Sequence, residues 1–230
     1  MDKGSSVQPE GRRCFVTVGA TASFIKLLRD VLEPRFLDCL GGRGFDELIV
    51  QTGPDHEWAL KEIEALGQQT NTSDGGKRTR WPTIDVISYT KDMHSMMLPC
   101  RGETSKTKRR LPGAMISHAG SGSILDAVRC DVPLIVVANP DLLGNHQAEL
   151  ADAVHEAGWA IRGELGHLSD AIELLQETLA ETQSEGLPPY QEPAFPTAEG
   201  ERSGLFDWAA IYAGQDAGTT STEPSLLHLD

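Results

Sequence analysis

The sequence predicts an α/β domain built on a doubly wound parallel sheet, and three observations carry the prediction. Short apolar runs alternate with helix-periodic segments five or six times between residues 13 and 181. The runs are apolar throughout instead of alternating with polar residues, as expected of strands covered on both faces. Several end in glycine-containing turns that lead directly into a helical pattern.

Cys14-Phe-Val-Thr-Val18 is the first strand, closed by Gly19-Ala-Thr21, and Phe24, Ile25, Leu27, Leu28 and Leu32 follow at helical spacing. The Val-Gly-Ala-Thr turn either presents N–H groups to a ligand or simply turns the chain; spacing leaves both open. Glu47–Gln51 is a second strand and Thr52–Asp55 its turn. Trp58, Leu60, Ile63 and Leu66 then mark an amphipathic helix. The polar run 68–80 reads as a surface loop. Ile84–Ser88 is a third strand, and Lys91 to Leu98 begins a helix whose Met93, Met96 and Met97 are expected to fill core. Residues 101–110 hold five basic side chains and no apolar one, a solvated insertion loop or, alternatively, a contact for anionic lipid.

Ala114–Val128 is the stretch around which the chain is organised. Ala114 to Ile116 is a strand end. Gly120 and Gly122 permit a sharp turn and close approach of a ligand, and Ser121 or Ser123 is expected to cap the helix carrying Ile124, Leu125 and Val128 on one face. The first-turn N–H groups and the positive end of the helix dipole would then face the loop, which suits a phosphate. Asp126, one turn in and off the apolar face, is placed to take ribose hydroxyls. For a lone Gly-x-Gly, a plain strand-to-helix turn is the alternative. Val132–Val137 is the most buried strand, with Ala138–Gln147 as the loop at its carboxyl end. A helix through Leu150, Val154 and Ala157 stops at Gly158, Trp159–Ile161 adds a short last strand, and Leu168, Ile172, Leu175 and Leu179 mark a final helix.

The domain therefore spans 13–181, with insertions near 68–80 and 101–110, between a polar N-terminus expected to be disordered (1–12) and an acidic, low-complexity tail (182–230). Residues 181–230 hold nine acids against Arg202 alone. That composition predicts disorder, except for a possible short docking helix over 204–212 that carries Leu205, Phe206, Trp208 and Tyr212. The 230 residues suffice for one core of about 150 to 180 residues and not for two full lobes. A net charge of −14 argues against nucleic acid as a partner. Cys14, Cys39, Cys100 and Cys130 form no Cys-x-x-Cys pair, so neither disulfides nor a metal site is expected, and the thiols fit a reducing cytosol. Neither a signal peptide nor a run of the roughly 18 to 20 apolar residues needed to cross a membrane is present.

In a doubly wound sheet, ligands bind at the carboxyl ends of the strands. Three loops collect there: Gly19-Ala20-Thr21, His118 to Ser123, and Asn139 to Gln147. The third, with Asn145, His146, Gln147 and Glu149, is rich in groups that hydrogen-bond sugar hydroxyls. A helix-end phosphate site beside such groups and Asp126 points to a nucleotide-diphosphate-sugar pocket. The first strand lacks Gly-x-Gly-x-x-Gly and the chain lacks Gly-x-x-x-x-Gly-Lys-Ser/Thr, which disfavours a dehydrogenase and a P-loop enzyme.

Phe15-Val-Thr-Val-Gly-Ala-Thr21, Ile116-Ser-His-Ala-Gly-Ser-Gly-Ser-Ile-Leu-Asp126, and Pro133-Leu-Ile-Val-Val137 followed by Asn145-His-Gln-Ala-Glu-Leu-Ala151 closely resemble the Alg13 family. The resemblance covers roughly residues 13 to 180 and implies a single donor-binding lobe of a GT-B glycosyltransferase, similar to the C-terminal lobe of bacterial MurG. It implies the catalytic subunit of a transferase that moves GlcNAc from UDP-GlcNAc to a dolichol-diphosphate-linked acceptor, as the second sugar, with inversion and with neither cofactor nor metal. An Alg14-like membrane-anchored subunit would supply the acceptor lobe and hold this chain at the cytosolic face of the endoplasmic reticulum. By the same resemblance, Gly19, Ala20, Ser121, Gly122 and Ser123 face the diphosphate, and Thr21 and Gly120 of the same two loops are further candidates for substrate binding. Asp126 holds the ribose, and Gln147, with Asn145 and Glu149 nearby, faces the donor sugar. His118 stands at the loop mouth, with a role toward diphosphate or acceptor, and is the candidate catalytic base. Leu150 stands where MurG-like relatives often carry asparagine, so the resemblance carries the sugar contacts no further. A non-catalytic UDP-sugar-binding protein of the same fold is the alternative function.

Overall fold

The computed structural model describes residues 11–70, 80–104, 109–142, 144 and 146–185. Residues 1–10, 71–79, 105–108, Leu143, Asn145 and everything from 186 on, including 204–212, lie outside the described residues, and so do the expectations placed on them. The chain divides into two compact units, Met1–Pro189 and Tyr190–Asp230, and all described residues belong to the first.

In chain order this unit contains β1 (Arg12–Thr17), α1 (Ile25–Val31), α2 (Pro34–Gly42), β2 (Phe45–Gln51), α3 (His56–Thr70), β3 (Thr83–Ile87), α4 (Met93–Met97), β4 (Glu103–Thr104) and β5 (Arg109–Arg110). It continues with β6 (Ala114–His118), α5 (Ser121–Arg129), β7 (Leu134–Val137), α6 (His146–Glu156), β8 (Ile161–Arg162) and α7 (Leu168–Glu185). Six strands form one sheet in the order β3-β2-β1-β6-β7-β8, every pair parallel. The chain winds outward from β1 to β3, returns to the other side of β1, and winds outward again. That is the doubly wound order, with its reversal between β1 and β6.

The continuous apolar runs are explained by cover on both faces. Cys14 and Val16 of β1, Ala114 and Ile116 of β6, and Ile135 and Val137 of β7 share one buried cluster with Leu28 of α1, Leu37 of α2 and Ile172 of α7. The residues between them, Phe15, Met115, Leu134 and Val136, are equally buried but point to the opposite side. There α5 lies on β6 and β7, and α6 on β7 and β8.

Several local expectations are corrected. The helix expected after β1 is present as α1, and a second, unanticipated helix, α2, follows it, with Pro34 at its start and Glu33 before it extended (φ −67°, ψ 136°), the conformation a following proline favours. The strand expected over Val132–Val137 begins only at Leu134, since Pro133 has no N–H to donate to the ladder. The methionine helix shrinks to Met93–Met97, with Asp92 accepting from the Ser95 N–H at 3.0 Å, and Leu98–Arg101 is a 3₁₀ turn containing Pro99. Of its methionines, Met97 is buried and Met93 and Met96 are half-buried. The basic stretch closes on itself as a two-stranded sheet of its own and is tied to β2 from one end. Glu103 and Thr104 pair with Arg110 and Arg109, and Arg110 Nη1 lies 3.4 Å from Glu47 Oε2, which also meets Arg13 Nε at 2.6 Å. The last helix runs on to Glu185.

Leu28 is fully buried within the larger cluster. Leu28→Ala should cost about 2–5 kcal/mol through lost transfer energy and a residual cavity. Urea unfolding followed by circular dichroism should show a lower midpoint at unchanged slope.

Candidate functional site

The reversal between β1 and β6 sets the loops that follow these strands side by side, with Thr17 opposite Ser117 in the last paired register. Gly19 follows at φ +84°, in the left-handed region where a Cβ is disfavoured. Space imposes the same choice. A Cβ on Gly19 would lie 2.7 Å from His118 Nε2, and one on Gly120 would lie 2.3 Å from the same nitrogen. The His118 ring therefore packs between the two loops, and each glycine is needed to admit it. His118 Nδ1 is buried without a hydrogen-bond partner. Burial holds the imidazole below its ordinary value of 6.5, with the Thr17 backbone partly opposing the shift, so the ring is neutral at physiological pH.

Neither Ser121 nor Ser123 caps α5, contrary to expectation. The chain enters the helix one residue earlier, with Gly120 at the N-cap in an extended conformation (φ −95°, ψ 126°) and no side-chain cap. Ser121, Gly122 and Ser123 thus form the first turn, whose N–H groups have no acceptor within the helix. The space over Gly122 is open: a Cβ there would meet nothing within 4 Å. Asp126 lies further along the same helix, half exposed, 4.0 Å from Arg129. Ala20 and Thr21 are exposed beside Gly19.

The third loop reaches the first through Asn139, whose Nδ2 donates to the Ser23 carbonyl at 2.9 Å, and through Lys26 Nζ and Asp141 Oδ1 at 2.5 Å. Gln147 is turned inward. Its Oε1 accepts from the Asn139 N–H at 2.9 Å, leaving the amide NH₂ as the group it can offer a ligand. Glu149 is exposed and lies 3.9 Å from His146. The geometry thus joins Gly19, His118, Gly120 and the α5 first turn directly, ties the Asn139–Gln147 pair to them through Ser23, and leaves Glu149 facing solvent.

Beneath the loops lies a layer that sequence reasoning missed: Thr17, Gln51, Thr52, Asp55, Ser117 and Asn139 are all buried. The available signal was their position, since Thr17, Gln51 and Ser117 are the polar residues at the carboxyl ends of otherwise apolar runs. Among the described residues, no group of three or more His, Cys, Asp and Glu side chains is arranged to hold a metal ion, and no helix is long and apolar enough to cross a membrane.

Residues 109–204 match the glycosyltransferase family 28 C-terminal domain, a span that includes the His118 loop, α5 and the third loop. The UDP-N-acetylglucosamine transferase subunit ALG13 of Eremothecium gossypii is 33% identical over 191 residues, covering 78% of this chain and 87% of that protein. The chain belongs to the Alg13 family. The Saccharomyces cerevisiae subunit of the same name is 36% identical over 160 residues, covering 65% of this chain and 76% of that one. Among solved structures, an NMR solution structure of ALG13 aligns with a TM-score of 0.49 at 28% identity, covering 83% of this chain and 92% of that one. MurG from Acinetobacter baumannii aligns at 0.47 and 16% identity, covering 76% and 42%. In this Alg13-family chain the family 28 match thus falls on the half of the sheet that follows the reversal and carries two of the three loops.

The buried imidazole has a consequence for stability. Because its folded value is depressed, the unfolded chain binds the proton more readily, and stability contributed by the neutral ring is complete above pH 6.5. It is lost as pH falls from there through the folded value. His118→Asn should therefore flatten the fall in urea midpoint between neutral and mildly acidic pH. A variant whose midpoint tracks the wild type across that range would contradict it.

Proposed function

We propose that this chain is the donor-binding, catalytic subunit of a GT-B-type transferase that moves GlcNAc from UDP-GlcNAc to a dolichol-diphosphate-linked acceptor, the second sugar of the lipid-linked oligosaccharide used in N-glycosylation. The observation that carries the reading is the uncapped first turn of α5, opening beside Gly19 and His118 at the sheet's reversal. Membership of a family whose members are named UDP-N-acetylglucosamine transferase subunits narrows the ligand.

The diphosphate lies against the N–H groups of Ser121, Gly122 and Ser123 and the backbone of Gly19, Ala20 and Thr21. Asp126 accepts hydrogen bonds from the ribose hydroxyls, and the Gln147 amide, in the first turn of α6, faces the donor sugar. As the glycosidic bond to UDP breaks, negative charge grows on the leaving diphosphate, where fixed N–H dipoles stabilise it without reorganisation. Attack by the acceptor hydroxyl from the opposite face inverts the anomeric carbon. The proton released needs a base, and His118, kept neutral by burial, is in the protonation state to accept it.

The second lobe belongs to another chain. The relatives are named as subunits, and an Alg14-like, membrane-anchored partner would bring the lipid acceptor to the open edge of this sheet at the cytosolic face of the endoplasmic reticulum.

Asp126→Ala should weaken UDP-GlcNAc binding by about 1–3 kcal/mol, roughly 5- to 150-fold in dissociation constant. Unchanged affinity by calorimetry would remove Asp126 from the site. Transfer of labelled GlcNAc to a lipid-diphosphate acceptor should require both this chain and its membrane subunit. Donor binding without transfer in the assembled complex would point to the non-catalytic alternative.

A further inference from the structure

The loop from Gly19 to Phe24 is held from below at both ends by buried side chains with no part in the contacts proposed above. At its start, the Gly19 N–H donates to Thr17 Oγ1 at 3.3 Å, and Thr17 Oγ1 in turn donates to Gln51 Oε1 at 2.5 Å. The Gln51 amide NH₂ completes the ring, donating to the Gly19 carbonyl at 2.9 Å and the Ser88 carbonyl at 3.0 Å. This partner set fixes the amide orientation, because the reverse would set its oxygen against two carbonyls. At the loop's end, Asn139 Nδ2 donates to the Ser23 carbonyl at 2.9 Å and Asp55 Oδ2 accepts from the Phe24 N–H at 2.8 Å. Asn139 is itself held, its N–H donating to Gln147 and its Oδ1 accepting from the Asp141 N–H at 3.1 Å. Thr17, Gln51, Asp55 and Asn139 are 0%, 1%, 8% and 5% exposed. Between the two anchored ends, Ala20, Thr21 and Ser23 face solvent.

We infer that Thr17, Gln51, Asn139 and Asp55 are positioning residues that set the Gly19–Phe24 loop to receive the donor diphosphate. Three different strands supply the anchors, since Thr17 ends β1, Gln51 ends β2 and Asn139 follows β7. The loop's shape is therefore tied to the register of the sheet. The His118 ring packs against Gly19, so a loop released at this end also releases the ring. Gln147 joins the frame through its oxygen, and the third loop cannot move without disturbing the first.

The inference rests on the donor-site reading above, and two measurements keep the failures apart. In calorimetry with UDP on the full chain, Thr17→Val, which keeps the shape but removes the hydroxyl and both of its hydrogen bonds, to the Gly19 N–H and to Gln51, should weaken binding by about five- to tenfold. Thr17→Ser should restore it, and Asn139→Ala should weaken it similarly. Independently of any ligand, NMR of the His118 ring and of the Ala20 and Thr21 amides should show shifted signals in Thr17→Val and wild-type signals in Thr17→Ser. Wild-type affinity and unshifted signals in Thr17→Val would overturn the inference. Failure of the wild type to bind UDP would overturn the donor-site reading, and the His118 signals would still decide the positioning role. Should Thr17→Val not fold, hydrogen exchange on the wild type decides. Gly19 and Phe24 amides should be protected and Ala20 and Thr21 amides fast, and uniform fast exchange across the loop would overturn the inference.

Discussion

A parallel sheet covered on both faces must find partners for every polar group at its carboxyl edge, and much of this molecule follows from that requirement. The ladder between β1 and its neighbours satisfies the strands as far as Thr17, Gln51 and Ser117; beyond it the chain turns into loops whose first residues, Val18, Thr52, Ala119 and Asn139 among them, are still buried. An orphaned buried donor or acceptor costs about 1–3 kcal/mol. The side chains at the strand ends meet this need: Gln51 serves two carbonyls and a hydroxyl, Thr52 Oγ1 donates to the Ile87 carbonyl at 3.1 Å, and Ser117 Oγ to the His118 carbonyl at 2.8 Å. The outcome is a rigid floor beneath the edge where a doubly wound sheet offers a crevice.

Two polar groups near that floor remain unmatched in the same protein, and the contrast is informative. The α5 first-turn N–H groups have no cap because the N-cap is glycine, and His118 Nδ1 has no partner although it is buried. A serine or aspartate at position 120 would offer the helix a side-chain cap, worth only a few tenths of a kcal/mol over glycine. It would also place a Cβ against the His118 ring and fill the dipole's positive end with the protein's own oxygen. The small gain of a cap is thus set against the space the imidazole occupies, and glycine leaves the first-turn donors open, as the proposed diphosphate site requires.

The sheet was legible in the sequence because burial on both faces leaves long apolar runs, and each run from Cys14–Val18 to Val132–Val137 corresponds to a strand. A boundary failed at Pro133, and the short helix that opens at Pro34 went unanticipated, since apolar periodicity carries no information about a missing N–H or a restricted φ. The glycine positions of the site were legible too, because Gly19 and Gly120 mark turns by composition alone. What they accommodate was not: the contact of both with a single imidazole depends on β1 and β6 being neighbours, a fact of topology spread across about a hundred residues. The helix cap was misread for a related reason. Serine favours the N-cap position in general, and only the path of the chain out of β6 moves the cap to Gly120.

Gln147 shows how these levels interact. From its type and loop it reads as a sugar ligand, yet its oxygen is committed to the Asn139 N–H. A carboxamide has two ends, and a donor sugar can be met by the NH₂ while the oxygen holds the loop. On the proposed reading, that division makes glutamine the residue that suits both tasks. Glutamate would still accept from Asn139 but would bring a second negative charge toward a diphosphate and lose the donor, whereas an apolar residue would leave the Asn139 N–H buried and unpaired. The proposed sugar contact and the loop architecture would thus fall to opposite ends of one side chain, and Gln51 uses both ends of its amide one layer deeper, where it joins β1, β2 and the end of β3.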